Sequence, residues 1–129
     1  MRRLLDTHVM YWLLFNTGKV PELLRLKLTS EPNVSYSVVS LREMALKKGN
    51  GKLSFPIPFS EVDRRLSEFY LFQRLDILPF HLDKLTSLPI AGHKDPFDRL
   101  LVSQAIAENM TFVTRDTSLS SYPVRTEWQ

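Results

Sequence analysis

The sequence predicts an α/β domain built on a parallel sheet that helices cover on both faces. Three observations carry that reading. Apolar runs of strand length alternate with longer segments of helical periodicity, the pattern that parallel crossover connections produce. The 129 residues, 43% of them hydrophobic, suit one domain spanning 1–129 rather than two. No internal repeat, low-complexity tract or linker interrupts them.

Taken in order, Arg3–Asp6 reads as a short buried strand and Val9–Phe15 as the helix that follows it closely. Pro21 suits the first turn of a second helix, to which Leu23, Leu24, Leu26 and Leu28 give apolar surface. Asn33–Ser37 alternates as a strand does. A helix from about Val38 to Lys48 is closed by Gly49 as its C-terminal cap. Ser60 opens another helix that runs to Leu75, with Asp63 completing a capping-box-like pattern. Asp76–Leu78 is a candidate strand, and Leu82–Leu88 a helix ended by Pro89. After the loop Ala91-Gly92-His93-Lys94, Asp95 caps a helix that begins at Pro96 and ends near Asn109. Met110–Thr114 is the next strand, and Val124–Arg125 a candidate last one.

Composition narrows the function classes. Cysteine is absent, which excludes disulfide frameworks, zinc–thiolate sites and cysteine nucleophiles, and fits a reducing cytoplasm. A domain of this size buries roughly two-thirds of its unfolded surface, so it needs neither disulfide nor structural metal. The opening MRRLLDTHVMYWLLFN has the two arginines and apolar stretch of a signal peptide. Asp6 and His8 interrupt it, however, and no small-residue cleavage site follows. The run Val9–Phe15 is far too short to span a bilayer. The expectation is a soluble, unprocessed cytoplasmic protein without membrane association. Lysine and arginine number 17 against 14 acids, a net charge of +3 that is compatible with RNA without requiring it.

The acids matter by position. Asp6 ends the first strand and Asp116 follows the strand ending at Thr114, so a parallel sheet sends both to the same crevice at its carboxyl edge. Each has a plain structural alternative, as a helix cap for Asp6 and as a turn residue for Asp116. Glu43 sits at the margin of an apolar stripe with Val39 and Leu46. The pattern Ser40-Leu41-Arg42-Glu43 matches a capping box, and Lys47 offers an exposed ion pair, so Glu43 alone favours a structural role. Asp95 before Pro96 is explained by capping. Asp98 heads a stripe continued by Leu101, Val102 and Ala105, which aims it at the sheet edge. Several acids in one crevice repel each other and need shared protons or a cation. Oxygen-only ligation suits Mg²⁺ or Mn²⁺, ions that activate water for phosphodiester hydrolysis.

These residues resemble the PIN-domain nucleases, in particular the VapC-like toxins of toxin–antitoxin pairs. LLDTHVMYWLL is similar to the family's opening strand and helix, with its first acid at Asp6. SVVSLREMALKKGNGKL is similar to the helix carrying the second, Glu43. HKDPFDRLLVSQAIAENMTFVTRD is similar to the segment carrying the third and fourth, Asp98 and Asp116, and is the most specific of the three. The resemblance spans essentially the whole chain. It implies a three-layer α/β/α fold and an endoribonuclease dependent on Mg²⁺ or Mn²⁺. Asp6, Asp98 and Asp116 would ligate the ion, and Glu43 would bind it or orient the attacking water. It also implies a homodimer, a small antitoxin partner, and structured RNA such as tRNA or rRNA as substrate.

Around this set, Thr7 and Thr114 are candidates to hold waters or carboxylates, or are ordinary strand-end threonines. Lys47, Lys48 and Lys52 are candidate phosphate contacts or a solvated helix end, and Arg99 and Arg115 candidate partners of the acids or the phosphate. His8, His81 and His93 lack the mutual spacing of a metal cluster. Tyr11, Trp12, Phe15, Phe69, Tyr70 and Phe72 are read as core or dimer surface rather than base-stacking platforms. An aspartyl-phosphate phosphatase commonly carries a second Asp two residues after the first, where this chain has His8. The other alternative is a non-catalytic PIN-like module that binds RNA or protein without turnover.

Overall fold

The computed structural model describes residues 1–90 and 95–129; the expected loop at 91–94, His93 included, lies outside the described residues. The elements run β1 (Arg3–Leu5), α1 (Thr7–Phe15), α2 (Glu22–Ser30), β2 (Val34–Ser37), α3 (Val38–Gly49), α4 (Phe59–Arg64), β3 (Gln73–Leu75), α5 (Pro79–Ser87), α6 (Pro96–Ala107), β4 (Thr111–Val113) and β5 (Thr126–Glu127). Short 3₁₀ turns lie at Thr17–Lys19 and Thr117–Ser121. The strands pair in the order β3-β2-β1-β4-β5, every pair parallel. The order reverses between β1 and β4. Connections leave these two strands toward opposite sides, which opens a crevice at their carboxyl ends.

The pleat divides the core. Leu5, Tyr36 and Val113 face one side, where they meet Val9 and Leu13 of α1, Leu24 and Leu28 of α2, and Val62 of α4. Leu4 and Phe112 face the other, against Leu101, Val102 and Ala105 of α6. Helix α3 serves both cores, with Met44 in the first and Val39 in the second. The result is the expected three-layer α/β/α arrangement. β1 is only three residues long, yet all three are buried. Full burial of Leu4 and Leu5 contributes about 1.5–3 kcal/mol each, so side chains on both faces hold this strand more than its length does.

Departures from expectation cluster between residues 58 and 78. Helix α4 starts at Phe59 after Pro58 with no side-chain cap. Asp63 makes no capping box; it accepts the Tyr36 hydroxyl at 2.6 Å. The helix widens into a π turn over Arg65–Phe69, with the Tyr70 N–H on the Arg65 carbonyl at 2.9 Å. Leu71 then takes a left-handed conformation (φ 61°), and the Phe72 N–H reaches back to the Leu66 carbonyl at 2.9 Å. That closure is usually made by glycine. It ends the helix early, so Gln73–Leu75 pairs with β2 as β3 and Asp76–Leu78 is not a strand. The last strand forms at Thr126–Glu127 instead of Val124–Arg125. Helix α3 does end at Gly49, but the left-handed residue is Gly51 (φ 78°). Of the α2 leucines only Leu24 and Leu28 are buried, while Leu23 and Leu26 are exposed. Among the described residues, no helix is long and apolar enough to cross a membrane.

Candidate functional site

The crevice between β1 and β4 is where the acids converge. Asp6 continues the β1 ladder, its N–H on the Val113 carbonyl at 2.9 Å. It also caps α1, Oδ1 accepting the Thr7 N–H at 2.7 Å. Capping and burial thus hold together rather than as alternatives. Its Oδ2 accepts the Thr114 hydroxyl at 2.7 Å, and that hydroxyl accepts the Asp116 N–H at 3.0 Å. Asp116 caps the 3₁₀ turn that follows, Oδ1 accepting the Ser118 N–H at 2.9 Å and the Ser118 hydroxyl at 2.6 Å. Neighbouring strands therefore set the two aspartates on either side of one threonine hydroxyl.

Glu43 joins from α3. Ser37, not Ser40, caps this helix, its hydroxyl oxygen accepting the Val39 N–H at 3.1 Å, so the expected S-x-x-E box does not form. Glu43 points inward. Oε1 accepts the Thr7 hydroxyl at 2.7 Å, and Thr7 Oγ1 also lies 2.9 Å from Ser40 Oγ. Oε2 pairs with Lys47 at 2.7 Å. The Glu43 side chain is only 4% exposed, so this is not the ordinary surface pair that the spacing suggested. Asp98 stands on a separate element, partly buried in the first turn of α6, which packs on α3. Its N–H and that of Phe97 donate to the capping Asp95 at 3.0 and 2.9 Å. The structure thus brings Asp6, Glu43 and Asp116 into one hydrogen-bonded network, with Asp98 on the neighbouring helix α6. Among the described residues, no three His, Cys, Asp or Glu side chains stand at metal-ligating spacing.

The electrostatics are lopsided. Burial pushes the Asp6 carboxyl above its ordinary range, and the charge of Glu43 pushes it further. The Thr114 hydroxyl, His8 and the Thr7 N–H pull the other way without cancelling the rise. A buried anion beside a second anion is a natural seat for positive charge. The donors at hand are carboxylate and hydroxyl oxygens, which fit a hard divalent cation in kind.

A pocket of about 360 Å³ opens beside Asp6 and Asp116, walled by His8, Trp12 and Arg115. A larger hollow of about 580 Å³ lies along Thr17–Lys19 and the start of α2 and shares no lining residue with this network. The smaller one is the pocket that the acids of the network line. Other basic candidates have structural work. Lys48 lies over the Phe55 ring at 4.1 Å and donates to the Ile57 carbonyl at 3.4 Å. Arg99 donates to the Leu88 and Pro89 carbonyls and the Tyr122 hydroxyl. His81 is fully buried: Nδ1 accepts the Leu78 N–H and Nε2 meets Glu108 at 2.7 Å. Ser40, read from the sequence as a cap, instead sits beside the Thr7 hydroxyl, while the Ser118 contact and the His8–Trp12 wall escaped the sequence reading. Only Ser118 had a local signal, the Asp-x-Ser spacing of a cap.

Comparison with known proteins agrees with this architecture. The family model described as PIN domain matches residues 3–124. A chain of VapBC2 from Rickettsia felis, solved bound to a DNA fragment from its promoter, superposes with TM-score 0.74 at 21% identity, covering 100% of both chains. FitAcB from Neisseria gonorrhoeae gives TM-score 0.66 at 21% identity over 96% of this chain and 95% of the other. DNA-bound VapBC from Salmonella typhimurium gives 0.66 at 18% identity over 100% and 99%. At such identities the likeness is one of fold. No curated protein matches the chain in sequence. The family match covers nearly every residue, crevice included, and the chain belongs to the PIN domain family.

Proposed function

We propose that the chain is a metal-dependent endoribonuclease that hydrolyses RNA phosphodiester bonds, and that it is the toxin of a toxin–antitoxin pair. The observation that carries this is the largely buried network Glu43–Thr7–Asp6–Thr114–Asp116 at the β1/β4 switch point, which sets three carboxylates around two threonine hydroxyls. Membership of the PIN family and a fold shared with VapBC and FitAcB chains support it. By the same support, a small antitoxin, a homodimer and structured RNA such as tRNA or rRNA are the proposed partners.

Asp6, Asp98 and Asp116 would hold the Mg²⁺ or Mn²⁺, and Glu43 would bind it or orient the attacking water. Such an ion would supply Lewis acidity, neutralising charge on the phosphoryl group and helping water act as the nucleophile near neutral pH. Thr114 fixes the Asp6 carboxylate by one oxygen and the backbone of Asp116 by the other side of its hydroxyl, so both ligands keep their spacing before substrate arrives. Thr7 and Lys47 pin the two oxygens of Glu43 and preset its direction. Water is the nucleophile; no side chain forms a bond to phosphorus.

The test is cleavage of structured RNAs, a tRNA pool among them, by purified antitoxin-free protein with Mg²⁺ or Mn²⁺ and with chelator. Cutting that requires metal and disappears in both Asp6→Asn and Asp98→Asn is the expected result. Cutting that persists in both variants overturns the ligand assignment. RNA or protein binding without metal and without turnover would make the non-catalytic module the better reading.

A further inference from the structure

Trp12 does more than close the core. Its ring packs partly against the first core and meets Trp128 edge-on at 5.9 Å, which fixes its orientation. The remaining surface lines the pocket that holds Asp6 and Asp116. One helical turn earlier, the exposed His8 ring lies 5.7 Å away at an interplanar angle of 41°. The guanidinium of Arg115, the residue just before Asp116, sits 5.9 Å from the Trp12 ring centre. Acids, a cation and two π faces therefore share one concavity of about 360 Å³, inside the roughly 300–1,000 Å³ range of small-ligand pockets. The other α1 aromatics differ: Tyr11 and Phe15 are turned into the Phe55 cluster.

Such a wall recognises a flat, electron-rich ring. A phosphodiester placed at the carboxylates brings its flanking base within one nucleotide of the wall. A base inside a duplex is already stacked on both faces and cannot reach the wall, whereas an unpaired base can turn out of its strand onto an aromatic platform. We propose that Trp12, with His8 and Arg115, stacks an unpaired nucleobase beside the scissile phosphate, and that this platform selects single-stranded or looped RNA over duplex at the cut. The inference rests on the RNA-cleaving reading above and adds the residues that choose the substrate's shape.

The platform is testable by binding, apart from turnover. Trp128→Phe leaves Trp12 as the sole tryptophan. In that protein, combined with Asp98→Asn and Mg²⁺ so that RNA is held but not cut, a short single-stranded RNA quenches Trp12 fluorescence and the matching duplex does not. Trp12→Ala weakens single-strand binding roughly ten-fold, the scale of base–aromatic stacking, and Trp12→Phe restores most of it. His8→Ala, at an exposed position, weakens it less. An abasic site flanking the phosphate costs as much as Trp12→Ala and adds nothing to it, which a folding defect cannot imitate. Equal quenching by both RNAs, no quenching by either, or an abasic penalty that persists undiminished in Trp12→Ala overturns the platform. If Asp6→Asn abolishes cutting while Trp12→Ala binds normally, the nuclease stands and the platform falls. If single-stranded RNA is held on Trp12 but nothing is ever cut, the platform stands and the nuclease falls.

Discussion

The strand β1 carries a buried charge at each end, and the two are treated in opposite ways. Arg3 is 5% exposed at the side chain, with Glu31 at 2.6 Å and Glu127 at 2.7 Å. The Glu127 hydrogen bond leads the interactions that raise its pKa, so its charge is favoured despite burial. Asp6, at the other end, has a threonine hydroxyl, a backbone N–H and a second acid for company, and its carboxyl is pushed up rather than down. One end is a finished ion pair that ties β5 and the end of α2 to the sheet. At the other end, among the described residues, Asp6 has hydroxyl and N–H donors and the nearby His8 rather than a salt bridge. On the proposed reading Arg3 is the structural charge and Asp6 the functional one, and burial does not distinguish them, since both are buried.

The largest expected effect comes from removing the Asp6 charge. Asp6→Asn keeps the side-chain shape and lowers RNA cleavage by on the order of 10³-fold or more, the several kcal/mol that a catalytic ion supplies. The melting temperature stays within a few degrees, because the amide carries no charge into the buried site. Cleavage assays beside thermal melts read both. A variant that melts early, with activity lost only through unfolding, would return Asp6 to the structural class and erase the contrast.

Arg3→Ala is the mirror experiment. It leaves Glu127 and Glu31 facing a buried gap and destabilises the fold by about 3 kcal/mol, the lower part of the range for a broken buried pair because Glu31 is half exposed. In melting temperature that is roughly 10 °C for a domain of this size. Activity per folded molecule is unchanged. Thr114→Val ranks next, since it removes the hydroxyl shared by Asp6 and Asp116. Loss of such an orienting contact costs about 10- to 100-fold in activity or metal affinity. Titrating Mn²⁺ against cleavage rate separates the two, and an unchanged metal requirement with unchanged rate would show that Thr114 only fills space.

The same contrast explains what the sequence disclosed. Asp6 and Asp116 were legible because strand ends in a parallel sheet converge by topology, and the alternation of apolar runs announces that topology. Glu43 misled locally: Ser40 and Lys47 imitate a cap and a surface pair, and only packing of α3 against α1 turns its carboxylate inward to Thr7. Asp98 could be placed on its helix, but its distance from the other acids depends on how α6 packs. Strand β3 was hidden because Leu71, not a glycine, adopts the left-handed turn that ends the preceding helix. The Trp12 wall was hidden because helical spacing places Trp12, His8 and the core residues on one side without saying which edge meets solvent.

A third charged cluster calibrates the other two and carries the smallest effect. On α4, Glu61 accepts from the exposed Arg64 at 2.8 and 2.6 Å and from the half-exposed Arg65 at 3.1 Å. The Arg64 hydrogen bond leads the causes that hold the Glu61 carboxyl down at about 2. A carboxyl depressed by folding stabilises the fold above its ordinary value near 4.3, and that contribution fades as pH falls toward about 2. NMR titration should find Glu61 still ionised at pH 3, where free carboxylates are protonated. Glu61→Gln should nevertheless shift the melting temperature only marginally at neutral pH, because water and salt screen an exposed pair. A shift as large as that of Arg3→Ala would mean that geometry alone sets the worth of an ion pair here. A marginal shift, with Arg3→Ala large, would leave burial to set how much a pair contributes, and its completeness to set whether it is structure or site.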